Sequence, residues 1–187
     1  MCRKLMILMF FVLMVGLVNF SYALEKHWDG EAGNNLFVDG INWDSPDDPN
    51  FDNTVPGPND TTYIDSYDYN DLSIDCNVII QPSDDVNIGV LFGPYSDPEY
   101  VDRVAGGQSS LVMTGGKLSI NGNWEVAYDQ DPNTDVLVDL SGDSVVRIAG
   151  TFRLQAKGIY PYEGMGKYLT INIRDNVDFV AEGGQSG

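Results

Sequence analysis

Apolar and polar residues alternate one for one over several short stretches of the chain. Leu72, Ile74, Cys76, Val78 and Ile80 alternate with Ser73, Asp75, Asn77, Ile79 and Gln81, which places one apolar row on a single side of a β-strand. Cys76 falls in that row and reads as a small core hydrophobe rather than a reactive or metal-binding thiol. Val86, Ile88, Val90 and Phe92 form a second row, ended by Gly93 and Pro94, and residues 61–65 form a shorter one. Strands this short, bounded by glycine, aspartate and proline, predict an all-β chain.

The rows also recur along the chain. Residues 111–127, LVMTGGKLSINGNWEVA, align with 138–155, VDLSGDSVVRIAGTFRLQ. Thr114 and Gly115 match Ser141 and Gly142 at an offset of 27, whereas Ile120, Gly122, Trp124 and Val126 match Ile148, Gly150, Phe152 and Leu154 at 28. One inserted residue absorbs the difference. A third copy runs over 169–180, with Leu169, Ile171 and Ile173 alternating, then Val177 and Phe179 after a turn at Asp175 and Asn176. A unit of two or three short strands cannot bury its apolar row alone, but stacked units bury a continuous column. The expected fold is a right-handed parallel β-helix, a solenoid with coils of about 27 residues. An antiparallel β-sandwich shows the same local alternation and is the alternative, although it gives no reason for positions to recur at a fixed offset.

Residues 24–60 lack alternation and carry Trp28-Asp29-Gly30, Phe37, Asn42-Trp43 and then Pro46, Pro49, Pro56, Pro58 and Asp60. The first coil of a solenoid exposes both its apolar column and a row of unpaired strand groups. Trp28, Phe37 and Trp43 are expected to plug that end; stacking of the same rings on sugar is the competing role. The order W-D-G, aromatic, N-W, V-P-G, D-T is followed downstream by Gly115, Gly116, Leu118, Ile120 and Gly122, which spell G-G-x-L-x-I-x-G. In these motifs the chain resembles the secreted bacterial β-helix surface proteins, autotransporter-like and surface-sorted. Phe37 stands where such openings more often carry tryptophan. The resemblance implies a β-solenoid serving as part of an extracellular or cell-surface protein. With no second aromatic cap over residues 182–187, the chain is expected to be the N-terminal part of a longer protein.

The first residues agree with export. Arg3 and Lys4 precede an uncharged apolar run of 14 residues over 5–18, and Ser21 and Ala23 stand at the −3 and −1 positions of a cleavage site before Leu24. That run is shorter than the ~20 residues of a spanning helix, so 1–23 reads as a signal peptide. The division is then 1–23 leader, 24–60 cap region and 61–187 solenoid coils, with no membrane span in the mature form. Only Cys76 survives cleavage, so core packing rather than an internal disulfide must hold the fold.

Charge narrows the function. The 28 acids and 10 bases give a net charge of −18, a field that repels phosphate backbones and excludes nucleic acid as partner. Residues 24–100 hold 17 acids and one base, against 11 acids and seven bases in 101–187. One histidine and two cysteines leave no zinc cluster or catalytic triad. Asp129, Asp131, Asn133 and Asp135 occur at alternate positions, so their oxygens can converge on a hard cation; calcium is the candidate cofactor, against a plain solvated acidic loop. The loop is not an EF-hand: Thr134 replaces the turn glycine and Leu140 the bidentate glutamate. Asp44, Asp47, Asp48 and Asp52 form a second acidic cluster with poorer spacing.

Catalysis on such a fold would draw on Asp139, Asp143, Arg147, Arg153, Lys157 and Asp175, in the manner of a polysaccharide lyase. Tyr67, Tyr69, Tyr160 and Tyr162 can present rings to a glycan. The expectation is nonetheless a secreted, non-catalytic solenoid, structural or adhesive, whose partner is an extracellular glycan or cell-surface polymer. A carbohydrate-binding module or polysaccharide-lyase fragment is the alternative.

Overall fold

A computed structural model describes residues 23–46, 53–65, 76–95, 108–126, 135–154 and 169–183. These residues form a parallel β-solenoid, the expected architecture, built from three sheets. Each coil contributes one strand to each sheet. The first coil holds β3 (Thr61–Asp65), β4 (Cys76–Ile80) and β5 (Asp85–Ile88); the second holds β6 (Val90–Tyr95), β7 (Gln108–Met113) and β8 (Gly116–Ile120). The third holds β9 (Trp124–Val126), β10 (Asp135–Leu140) and β11 (Ser144–Ile148), and the last β12 (Phe152–Leu154), β13 (Leu169–Ile173) and β14 (Asp178–Ala181). Neighbouring coils pair in parallel throughout. Among the described residues there is no α-helix, only a 3-10 turn at Gly40–Asn42.

The alternating rows become the core. Cys76, Val78 and Ile80 point inward and are fully buried, and above Val78 the next two coils place Leu111 and Val138 in register. Val86 and Ile88 continue upward as Leu118 and Ile120, then Val146 and Ile148. Every one of these side chains is at most 4 % exposed. Burial of stacked apolar rows is what makes one register of the solenoid preferable to its slips, since a shift by one residue would turn each row to solvent.

Two expectations change. The row through Val86, Ile88, Val90 and Phe92 is broken at Gly89, where the chain turns a corner: Leu91 points inward at 0 % exposure, while Val90 and Phe92 are only half-buried. The corner is too close for a side chain, because a Cβ on Gly89 would lie 2.6 Å from Asp60 O. The coil length also varies. Cys76, Ser109, Val136 and Leu169 are in register, so successive offsets are 33, 27 and 33. The short value belongs to the second and third coils alone, and the inserted residue lies in their turn: Thr114-Gly115 bridges β7 and β8, whereas Ser141-Gly142-Asp143 bridges β10 and β11. Gly115 (φ +141) and Gly142 (φ +65) take the conformations that only glycine adopts readily there.

The solenoid begins earlier than residue 61. β1 (Glu25–Trp28) pairs in parallel with β3, and β2 (Trp43–Asp44) closes its outer edge in antiparallel fashion. Trp28 and Trp43 therefore sit on strands, and with Phe37 they are 0–1 % exposed. Trp28 meets Trp43 edge-on at 5.1 Å and Phe37 meets Trp43 at 4.8 Å between ring centroids. Trp43 Nε1 donates to Phe37 O at 2.8 Å. Asn42, fully buried, donates from Nδ2 to Asn34 Oδ1 and Leu36 O and accepts the Ala32 N–H, which fixes the loop over the end of the column. Asp60 holds the entry strand by accepting the Leu24 and Gly57 N–H groups.

Candidate functional site

The corners between sheets carry the ladder that sets coil spacing. Gly150 N–H donates to Gly122 O at 2.9 Å and Gly183 N–H to Gly150 O at 3.0 Å, one above the other. A Cβ on Gly150 would meet Gly122 O, and one on Gly183 would meet Gly150 O, both far inside van der Waals contact. Coils this close bring outward side chains of adjacent rungs within ion-pair reach.

Charges use that proximity. Lys117 Nζ lies 3.2 Å from Asp85 Oδ1, Arg153 donates to Glu125 Oε1 at 2.9 Å, and Arg174 contacts both oxygens of Asp139 at 2.7 and 2.6 Å. Arg147 pairs with Asp178 and also donates to Asp178 O at 3.1 Å. Each of these four pairs joins one coil to the next. The Asp178 carboxyl is held below the usual carboxylate range by its bond to Arg147, and the guanidinium groups of Arg147 and Arg174 are raised by their carboxylate partners. Glu125 is the buried member, with its side chain 8 % exposed.

Of the described residues considered for catalysis, Asp143 and Asp175 share one corner, while Asp139, Arg147 and Arg153 lie on three different sheets. Asp139 with Arg174 lies along the sheet of β10 and β13, Arg147 with Asp178 on the sheet of β11 and β14, and Arg153 on the sheet of β9 and β12. Asp143 accepts from Asn176 Nδ2 at 3.2 Å, and Asp175 accepts the Gly142 N–H at 3.3 Å, so these two fasten the corner between coils. Lys157 lies outside the described residues.

The loop considered for calcium lies outside as well: Asp129, Asp131 and Asn133 precede β10, and of Asp135 only the backbone, the first residue of that strand, is described. Among the described residues no three His, Cys, Asp or Glu side chains are grouped to hold a metal ion. Of the second acidic cluster only Asp44 is described. Tyr67, Tyr69, Tyr160 and Tyr162 are outside too. The outward rings that are described stack on each other: His27 on Tyr63 at 4.4 Å and 8°, Tyr63 on Phe92 at 5.2 Å and 12°. Tyr63 thus spends both faces on neighbouring rungs and offers neither as a platform for a sugar.

The inter-coil pairs were not foreseen, yet a signal for one stood in the chain. Glu125 and Arg153 carry opposite charges at a separation of 28, the offset of the aligned segments. Compared with known protein families, curated proteins and solved structures, the chain matches none.

Proposed function

We propose that this protein is a secreted, non-catalytic β-solenoid, a structural or adhesive segment of an extracellular or cell-surface protein of the bacterial β-helix kind. The observation that carries the reading is the use of the basic side chains. Lys117, Arg147, Arg153 and Arg174, on three faces of the rod, each bind an acid one coil away. A base that serves as proton acceptor must be free to meet substrate, whereas these are spent on holding rungs together. The leader-like residues 1–23 support export, and the acidic surface suits a soluble extracellular rod.

The test is a panel of acidic and neutral polysaccharides incubated with the processed chain, with and without calcium, followed for unsaturated products and for retention on the polymer. Retention without new chain ends is the expected result for an adhesive segment. Robust depolymerisation of any defined polysaccharide overturns the proposal.

A further inference from the structure

Among the described residues, the first to join the solenoid is Leu24, which directly follows the cleavage site read in the leader. Its N–H donates to Asp60 Oδ1 at 3.1 Å and its carbonyl accepts the Thr61 N–H at 2.9 Å, which sets Glu25 in register with Thr61. Ala23, one residue earlier, is exposed and belongs to no strand. Asp60 is itself a junction. Its Oδ2 accepts the Gly57 N–H at 2.7 Å, its own N–H donates to Gly57 O at 3.1 Å, and its carbonyl accepts from Gly89 and Val90 at 3.1 and 3.0 Å. The entering strand, the turn at 57–60 and the corner into the second coil thus meet on one aspartate. In residues 24–100 the sole Lys or Arg is Lys26, buried at 1 % and donating to Thr54 Oγ1. The other charged groups on β1 and the strands beside it are Glu25, His27, Asp44 and Asp65. Among the described residues, Asp60 alone has a carboxylate oxygen within hydrogen-bond reach of the Leu24 nitrogen.

We infer that cutting the chain between Ala23 and Leu24 completes this junction: the Leu24 nitrogen becomes an α-ammonium and forms an ion pair with Asp60 that locks the entering strand. An endopeptidase of the export route that cuts after small residues adds water across the Ala23–Leu24 peptide bond. Ala23 leaves with the leader as a carboxylate, and the Leu24 nitrogen keeps the bonding pair and takes up protons to become an ammonium at neutral pH. That nitrogen is already 3.1 Å from Oδ1, and an ammonium turning about its N–Cα bond can aim one of its three N–H groups at the same oxygen. A bond in which only the acceptor was charged thereby becomes one in which both partners are. The position is selective. A strand advances about 3.3 Å per residue, so a cut one residue earlier carries the new charge that much farther from Asp60. A cut one residue later removes both the Leu24 N–H and the carbonyl that holds Thr61. Removal of the leader therefore tightens the entering strand and, through the Asp60 carbonyl, the corner at Gly89.

This inference rests on the reading of 1–23 as a leader, and the experiment separates the two. The full chain is expressed in a bacterium that exports it, and the mass of the recovered protein gives its first residue, expected to be Leu24. An uncut chain, or a cut elsewhere, overturns the leader reading at this site and the inference with it. On protein that starts at Leu24, the nitrogen NMR shift of the leucine α-amine is followed against pH. Its midpoint should lie above the ordinary ~7.7–8.0 of a free α-amine, because the adjacent carboxylate favours the charged form. Asp60→Asn, with its fold checked by circular dichroism, should return the midpoint to the ordinary range. A second comparison needs no change at Asp60: a chain that retains Ala23 as its first residue should have a folding constant about fivefold lower in urea at neutral pH. Since the folded amine holds its proton more tightly, that advantage is full below ~7.7 and is lost as pH rises through the raised midpoint. A chain that starts at Leu24 with an ordinary midpoint, or equal stability with and without Ala23, overturns the inference and leaves the leader reading standing.

Discussion

The first and last described coils of the solenoid carry the same problem and treat it differently. At the first, Trp28, Phe37 and Trp43 lie over the column at 0–1 % exposure; at the last, Leu154 and Ile173 remain at 50 % and 54 %. A coil therefore does not protect itself. Covering it takes a device outside the repeat: rings on two strands, an Asn42 side chain that satisfies the loop crossing the end, and an Asp60 that ties down the entering strand. The repeat encodes continuation and the cap encodes arrest.

Truncating the plug gives the largest expected contrast. Trp43→Ala removes a fully buried indole and strands the Phe37 carbonyl it bonds, and should cost about 3–5 kcal/mol in urea denaturation. Leu154→Ala, half-exposed in the last described coil, should stay within about 0.5 kcal/mol. Equal costs for the two would show that the rings do not close the column.

A smaller contrast lies in the glycine corners. Gly150 is held between Gly122 below and Gly183 above, so Gly150→Ala forces two coils apart and should cost about 1–3 kcal/mol. Gly183 meets the same obstruction from below, but its coil has nothing described above it and can lift. Gly183→Ala should therefore cost clearly less by the same denaturation assay, and a reversed order would mean that the last coil is as firmly seated as the third.

Much of this was readable in advance because burial imposes strict alternation. Cys76, Val78 and Ile80 could only be a strand, and the matching of Thr114-Gly115 with Ser141-Gly142 located the corner and its inserted residue. Coil length was not readable from one aligned pair. The tight corners are fixed by the ladder, but the numbers of residues that follow β3, β6, β9 and β12 before the next strand are 10, 12, 8 and 14, so the offset differs from coil to coil. The row across Gly89 misled for a related reason: alternation continues through a corner in the sequence, while the chain turns and exchanges its inner and outer sides. The ion pairs joining coils were hidden because charges that look merely solvated along one strand acquire partners only when rungs are stacked.

The buried pair tests whether those contacts matter. Arg153→Met leaves Glu125 without its cation at 8 % exposure and should cost about 1 kcal/mol, with little relief or worsening in salt. Arg147→Met breaks a more exposed pair and should have a smaller effect that salt reduces further. If both respond alike, burial does not distinguish the two pairs.

The finest contrast is the direction in which each end responds to pH. At the cap, Asp29 Oδ1 accepts the Glu31 N–H, while Oδ2 is buried with no donor. Burial above all, then the neighbouring carboxylates Asp44 and Glu31, push its carboxyl up to about 7 against the pull of that amide, and a proton on one oxygen lets Asp29 and Asp44 share a hydrogen bond. The folded cap thus binds a proton more readily than the unfolded chain. Its stability is full below the ordinary value of 3.8 and declines as pH rises toward about 7. In the last described coil Asp178 has the opposite sign: bonded to Arg147, it loses its proton more readily when folded, so its contribution is present above 3.8 and is lost as acid protonates it. Amide hydrogen exchange, corrected for the intrinsic pH dependence of the chemistry, reads the two ends separately. Between about pH 4 and 7, protection at β1 and β2 should fall while that at β14 holds. Asp29→Asn should flatten the first trend and leave the second untouched, and a cap whose protection is level across that range in the parent chain would remove the shared proton from the account.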